Sequence, residues 1–74
     1  MAQINVEAET GGIVSRIEHR EGQRIARDAP IVFVEIMKME IPIAAPAEGT
    51  VVKLLVAEGD SIEEGQRIAI IETP

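Results

Sequence analysis

The chain has 74 residues, 46% of them hydrophobic and one aromatic, Phe33, so it reads as one domain, 1–74, with a thin core. It has no cysteine and one histidine, His19, which excludes disulfides and a structural zinc as supports. A net charge of −6, with no basic cluster and no aromatic stacking platform, argues against nucleic acid.

Isoleucine and valine number 19 against two leucines, Leu54 and Leu55. β-Branched side chains suit a pleated surface, so the composition predicts an all-β protein. The first apolar run is 3–8. It follows the start MAQINVEAET, which lacks the basic-then-apolar plan of a leader peptide. Met1 directly before this run makes the sequence read as a complete small chain. The second run is 12–18, and SRIEHREGQRIARD over 15–28 can also be drawn as a helix. Gly22 falls in its middle, however, and a strand–turn–strand reading is favoured. Runs at 31–37, 39–44, 50–56 and 67–72 complete the series, separated by Gly, Pro and acidic turn signals. None approaches the ~20 apolar residues of a helical membrane span, so a soluble, cytoplasmic protein is expected.

Two internal registers compete. EGQRIA occurs at 21–26 and 64–69, an offset of 43, but extending it sets Ile17 against Asp60. An offset of 37 holds along the whole chain. It matches Ile4 with Ile41, Gly12 with Gly49, Val14 with Val51, Ile25 with Ile62, Ile31 with Ile68 and Glu21-Gly22 with Glu58-Gly59. Two halves of about four short strands each predict a pseudo-twofold sandwich or flattened barrel of two four-stranded sheets. Asp28-Ala29-Pro30 and Glu63-Glu64-Gly65 would be a second pair of equivalent turns.

Between the halves lies EIMKME, 35–40, in which Met37 and Met39 flank Lys38. IVFVEIM leads in and MEIPIAA leads out, which reads as a hairpin with Met-Lys at its tip and no glycine or asparagine to define the turn. Strand alternation would set Met37 and Met39 on one side and Lys38 on the other. Glu35 and Glu40 nearby favour a charged amine, unsuited to Schiff-base or general-base work. A solvated amine at a tip suits acylation by another enzyme, and the methionines would offer that enzyme a soft apolar surface. The plain alternative is an edge charge between two gap-filling methionines.

Ile36-Met37-Lys38-Met39 closely resembles the Ala/Val-Met-Lys-Met motif of biotinyl domains, the biotin carboxyl carrier family. Glu35 before it, Glu40-Ile41-Pro42-Ile43 after it, Ala45-Pro46-Ala47-Glu48-Gly49-Thr50-Val51, Glu58-Gly59-Asp60 and Gly65-Gln66 extend the likeness over nearly the whole chain. The resemblance implies a flattened barrel with a pseudo-twofold axis and biotin joined through an amide to Lys38. It names Met37 and Met39 as the flanking recognition motif and makes Glu35 and Glu40 candidate contacts of a biotin protein ligase. It further implies two partners, a biotin carboxylase that loads a carboxyl group and a carboxyltransferase that passes it to an acyl-CoA or keto acid. The domain itself would be non-catalytic, bind no metal and meet neither nucleic acid nor membrane. Only a short turn separates Ile17 from Ile25, so the protruding thumb of some bacterial carriers is absent and the likeness is to thumbless modules.

Two rivals share the expected fold. A lipoyl carrier would show an acidic residue before the lysine, where Met37 stands, and an unmodified adaptor would lack Met-Lys-Met. Lys53 matches Arg16 in the repeat and reads as a solvated strand residue. His19 has no ligand or triad partner in the sequence, and Pro42 within a strand predicts an edge or a bulge.

Overall fold

The computed structural model describes Ala2–Pro74 as eight strands and, among the described residues, no helix. They are β1 (Gln3–Glu7), β2 (Gly12–Ile17), β3 (Arg24–Ile25), β4 (Pro30–Ile36), β5 (Met39–Ala44), β6 (Gly49–Leu54), β7 (Ser61–Ile62) and β8 (Arg67–Glu72). One sheet has the order β1-β8-β6-β3 and the other β5-β4-β2-β7, with all pairs antiparallel. Adding 37 to the residue numbers of β2 and β3 gives those of β6 and β7, and it carries β1 and β4 onto β5 and β8 to within a residue. The same exchange turns one sheet order into the other, so the pseudo-twofold of the sequence is the symmetry of the fold. The six apolar runs are the six long strands. β3 and β7, two residues each, are the second arms of the strand–turn–strand units, and they are absent from the apolar runs because so short a strand has no alternation to detect. The 15–28 segment is the end of β2, a turn and β3.

Inward-facing residues make one core, and it is as symmetric as the strands. Its buried members pair as Val6/Ile43, Ala8/Ala45, Val14/Val51, Ile25/Ile62, Ile31/Ile68, Val32/Ala69 and Val34/Ile71. Only Val56 lacks a core counterpart, because its equivalent is His19. That ring is half-buried, with Nδ1 2.7 Å from the Pro30 carbonyl oxygen, a hydrogen bond that compensates its partial burial.

The hexapeptide repeat has a different origin. Arg20–Gln23, Ala26–Ala29, Ala57–Asp60 and Glu63–Gln66 are the same turn, each closed by an N–H donated from the fourth residue to the first carbonyl at 3.0–3.1 Å. The third residue is left-handed in all four: Gly22 (φ 90°), Asp28 (φ 70°), Gly59 (φ 91°) and Gly65 (φ 86°). In both copies of Glu-Gly-Gln the glutamine Oε1 accepts the N–H that opens the turn, from Arg20 at 2.7 Å and from Glu63 at 3.0 Å. The offset of 43 therefore matches local turn chemistry, whereas the offset of 37 matches the fold. The structure also sets Asp28 in the place of Gly65, as the second pair of turns required.

The candidate attachment site at the β4–β5 hairpin

β4 and β5 pair as Val32–Ile43, Phe33–Pro42, Val34–Ile41, Glu35–Glu40 and Ile36–Met39, leaving Met37 and Lys38 as a two-residue turn. Both are left-handed, φ 51° and 67°, which is the type I′ geometry that matches strand twist. Neither is glycine, so each adopts a conformation costing an L-residue roughly 1–2 kcal/mol. The turn also corrects the strand-alternation expectation. Met37 and Lys38 lie beyond the last paired residues, so strand alternation does not set their directions.

Met37 is 90% exposed and Met39 65%. These methionines are not core filling, because apolar surface of this size in so small a protein lies in water around one amine. Lys38 is exposed and, among the described residues, forms no ion pair. Glu35 and Glu40 face each other directly across the strands. Glu40 is drawn the other way: one carboxylate oxygen lies 3.0 Å from Ser15 Oγ and the other 3.7 Å from the Arg16 guanidinium. Ser15 Oγ is also 3.2 Å from the Phe33 carbonyl oxygen, so its one proton is shared between two acceptors. Arg16 lies 4.4 Å from the Phe33 ring centroid and 3.2 Å from Glu18. No local pattern points to Ser15 or Arg16 here, since they reach Glu40 from a strand two places away. The one available signal was Ser15, which stands where the other half has Val52; Arg16 and Lys53 match in the repeat.

Gly12 supports the hairpin from β2. A Cβ there would stand 2.6 Å from a Val34 methyl and 2.8 Å from Ile36 Cγ1 and from the Glu35 carbonyl oxygen. Its bare backbone thus admits the side chains at the base of the turn. By the pseudo-twofold, the hairpin corresponds to the chain ends, where the Thr73 N–H donates to the Ala2 carbonyl at 2.8 Å. β1 runs from that end to Glu7, and after four intervening residues Gly12 stands beside the hairpin. The tip and the chain ends are therefore at opposite ends of a molecule 37 Å long. Lys53 is placed quite differently, mid-strand on β6 opposite Ile70.

Among the described residues no group of three His, Cys, Asp or Glu side chains could hold a metal ion, and no acid–base partner contacts Lys38. The residues define a presenting domain: a rigid barrel that carries a lysine at a free apolar tip. The family described as biotin-requiring enzymes, the biotin/lipoyl family, matches residues 4–71. The biotinylated protein TB7.3 homolog of Mycobacterium leprae is 40% identical over 67 residues, covering 90% of this chain and 94% of the relative. Pyruvate carboxylase of Aspergillus niger is 41% identical over 58 residues, 78% of this chain but 5% of the enzyme. A solved single-chain, multi-domain long-chain acyl-CoA carboxylase superposes with TM-score 0.89 at 26% identity, over 97% of this chain and 7% of that one. The chain belongs to the biotin/lipoyl family, whose carrier domains are non-catalytic by themselves and take biotin as a covalent group. It spans nearly all of the mycobacterial relative and a small fraction of the carboxylases.

Proposed function

We propose that Lys38 is the residue that carries biotin and that the chain, as one carrier domain, works in the cytoplasm for a biotin-dependent carboxylase. The observation that carries this reading is Lys38 itself: exposed, free of ion pairs and set on a two-residue turn between exposed methionines. The residues suit such a group, since an unpaired primary amine at a tip can enter another enzyme's active site. In the step required, Nζ attacks the carbonyl carbon of a biotinyl-adenylate made by a biotin protein ligase. The ammonium first gives one proton to solvent; an amide then forms, the bond from the carbonyl carbon to the phosphate oxygen breaks, AMP leaves and the nitrogen loses a second proton. Loss of the ammonium takes the net charge from −6 to one unit more negative.

Biotin, once attached, supplies a ureido nitrogen that accepts and releases a carboxyl group. The domain contributes reach. A tether on a rigid barrel raises the effective concentration of its cargo at two partner sites without tight binding at either. A biotin carboxylase and a carboxyltransferase acting on an acyl-CoA or keto acid are the partners this implies, with Met37 and Met39 read by the ligase. Intact mass after incubation with a biotin protein ligase, biotin and ATP tests the reading. One biotinyl increment on the wild type and none on Lys38→Arg is expected. An octanoyl or lipoyl increment in cells would instead make it a lipoyl carrier. No adduct on the folded chain would make it an adaptor.

A further inference from the structure

The internal symmetry is a control experiment built into the chain. Where the core dictates an apolar residue, the two halves comply at every pair but His19/Val56, and the Gly12/Gly49 pair repeats the same close approach. Where equivalent outward positions differ, the fold accepts either residue and something else has chosen. Around the hairpin these differences cluster on the outer face of the Lys38-bearing sheet. Ile13 has Thr50 as its counterpart, Ser15 has Val52, Phe33 has Ile70, and Glu40 has Gln3. The bulge between Val14 and Arg16 recurs between Val51 and Lys53, so backbone geometry is not the cause.

Two features of this face point to a partner. Ile13 is 44% exposed and pairs with Glu35 on one side and Ser61 on the other, two residues short of the turn. A branched apolar side chain stands in water there, where the other half uses a hydroxyl. Glu40 is already fixed by Ser15 and Arg16, and Arg16 by Phe33 and Glu18. Lys53, the counterpart of Arg16, has no such carboxylate and faces Ile70 rather than an aromatic ring. A carboxylate held in place loses little side-chain entropy when it is bound. Beside it Glu35 has no ion pair among the described residues.

We infer that this face, with Ile13 as its apolar anchor and Glu40 as its ordered anion, is read by the enzyme that acylates Lys38, and that Ile13 is a specificity-determining residue. The inference rests on Lys38 being the acylated residue. The occupant follows from continuity: an active site that takes an amine on a four-carbon stem must close around the tip, and this face begins two residues from the tip. Its chemistry follows from the face. It presents an apolar contact to Ile13 and Met37 and a cationic group to Glu35 and Glu40, as the acidity of the chain also favours.

The symmetry supplies the variants. Ile13→Thr and Glu40→Gln install what the other half carries in the same place, and Thr50→Ile makes the reverse change on the other sheet. Initial rates of biotinylation of the full chain by a biotin protein ligase are measured against chain concentration, with circular dichroism as a folding control. Acetylation of Lys38 by an N-hydroxysuccinimide ester is measured in parallel. Ile13→Thr is expected to lower kcat/KM about tenfold, through KM, and Glu40→Gln about threefold. Thr50→Ile and all chemical acetylation rates should match the wild type. Ile13→Thr and Glu40→Gln both biotinylated at the wild-type rate would overturn the inference, including the case in which they slow only a later carboxylation step. A wild type that takes no biotin would remove the attachment reading and the inference with it, which distinguishes the two failures. Should Ile13→Thr not fold, Glu40→Gln and Ser15→Val carry the test alone.

Discussion

Ile36 and Met39 pair directly across the β4–β5 hairpin, so the whole reversal is borne by Met37 and Lys38 in left-handed conformations. A chain optimised for stability would place Asn-Gly here. The two non-glycine residues instead put a thioether and an amine at the outermost point of the barrel.

Met37→Gly tests that trade. It relieves the roughly 1–2 kcal/mol of a left-handed L-residue, against ~0.5–1 kcal/mol of extra backbone entropy lost by glycine on folding. A net gain of about 0.5 kcal/mol in urea unfolding is expected, together with slower biotinylation. A destabilised variant would mean that the Met37 side chain packs on the folded barrel, contrary to its exposure.

Gly12 and Gly49 are symmetry mates pressed by equivalent neighbours, but not equally closely. An added Cβ at Gly12 meets a Val34 methyl at 2.6 Å and the Glu35 carbonyl oxygen at 2.8 Å, while at Gly49 it meets an Ile71 methyl at 2.8 Å and collides more closely with the Glu72 carbonyl oxygen. Gly12→Ala should cost about 1–3 kcal/mol, the range for overpacking. Gly49→Ala should cost more, because its closest clash is with a backbone carbonyl that cannot rotate away, whereas at Gly12 the closest atom is a side-chain methyl. Equal losses in thermal unfolding would contradict this ordering.

Pro42 lies on β5, the edge of its sheet, as a proline within a strand led us to expect. A two-residue hairpin closes on a hydrogen-bonded pair, Ile36–Met39, so Glu35–Glu40 and Phe33–Pro42 are non-hydrogen-bonded pairs. The main-chain nitrogens of Glu40 and Pro42 therefore face the open edge, and proline removes one donor from it. Pro42→Thr should change monomer stability by no more than about 0.5 kcal/mol yet raise self-association, seen by sedimentation velocity at high concentration. A variant that stays monomeric under those conditions would show that β5 is guarded by something other than its proline.

The sequence by itself determined the β class, the six long strands, the pseudo-twofold and the hairpin at Lys38. Each of these rests on repeated pairs such as Val14/Val51 and Ile31/Ile68, whose apolar pattern both halves must keep to fill one core. Met-Lys-Met was equally legible, because it is contiguous and its likeness to the biotinyl motif needs no geometry. The two-residue strands β3 and β7 were legible only as second arms of strand–turn–strand units; their extent and pairing needed the tertiary structure, since these are imposed by β2 and β6 rather than by any pattern of their own. So did the left-handed turn at Met37-Lys38, where twist matching overrides the residues' own preference. The tie from Ser15 and Arg16 to Glu40 spans 25 residues in one case and exists only because β4 lies between the strands that carry them. Contacts of that kind are set by sheet order, which a linear pattern does not contain.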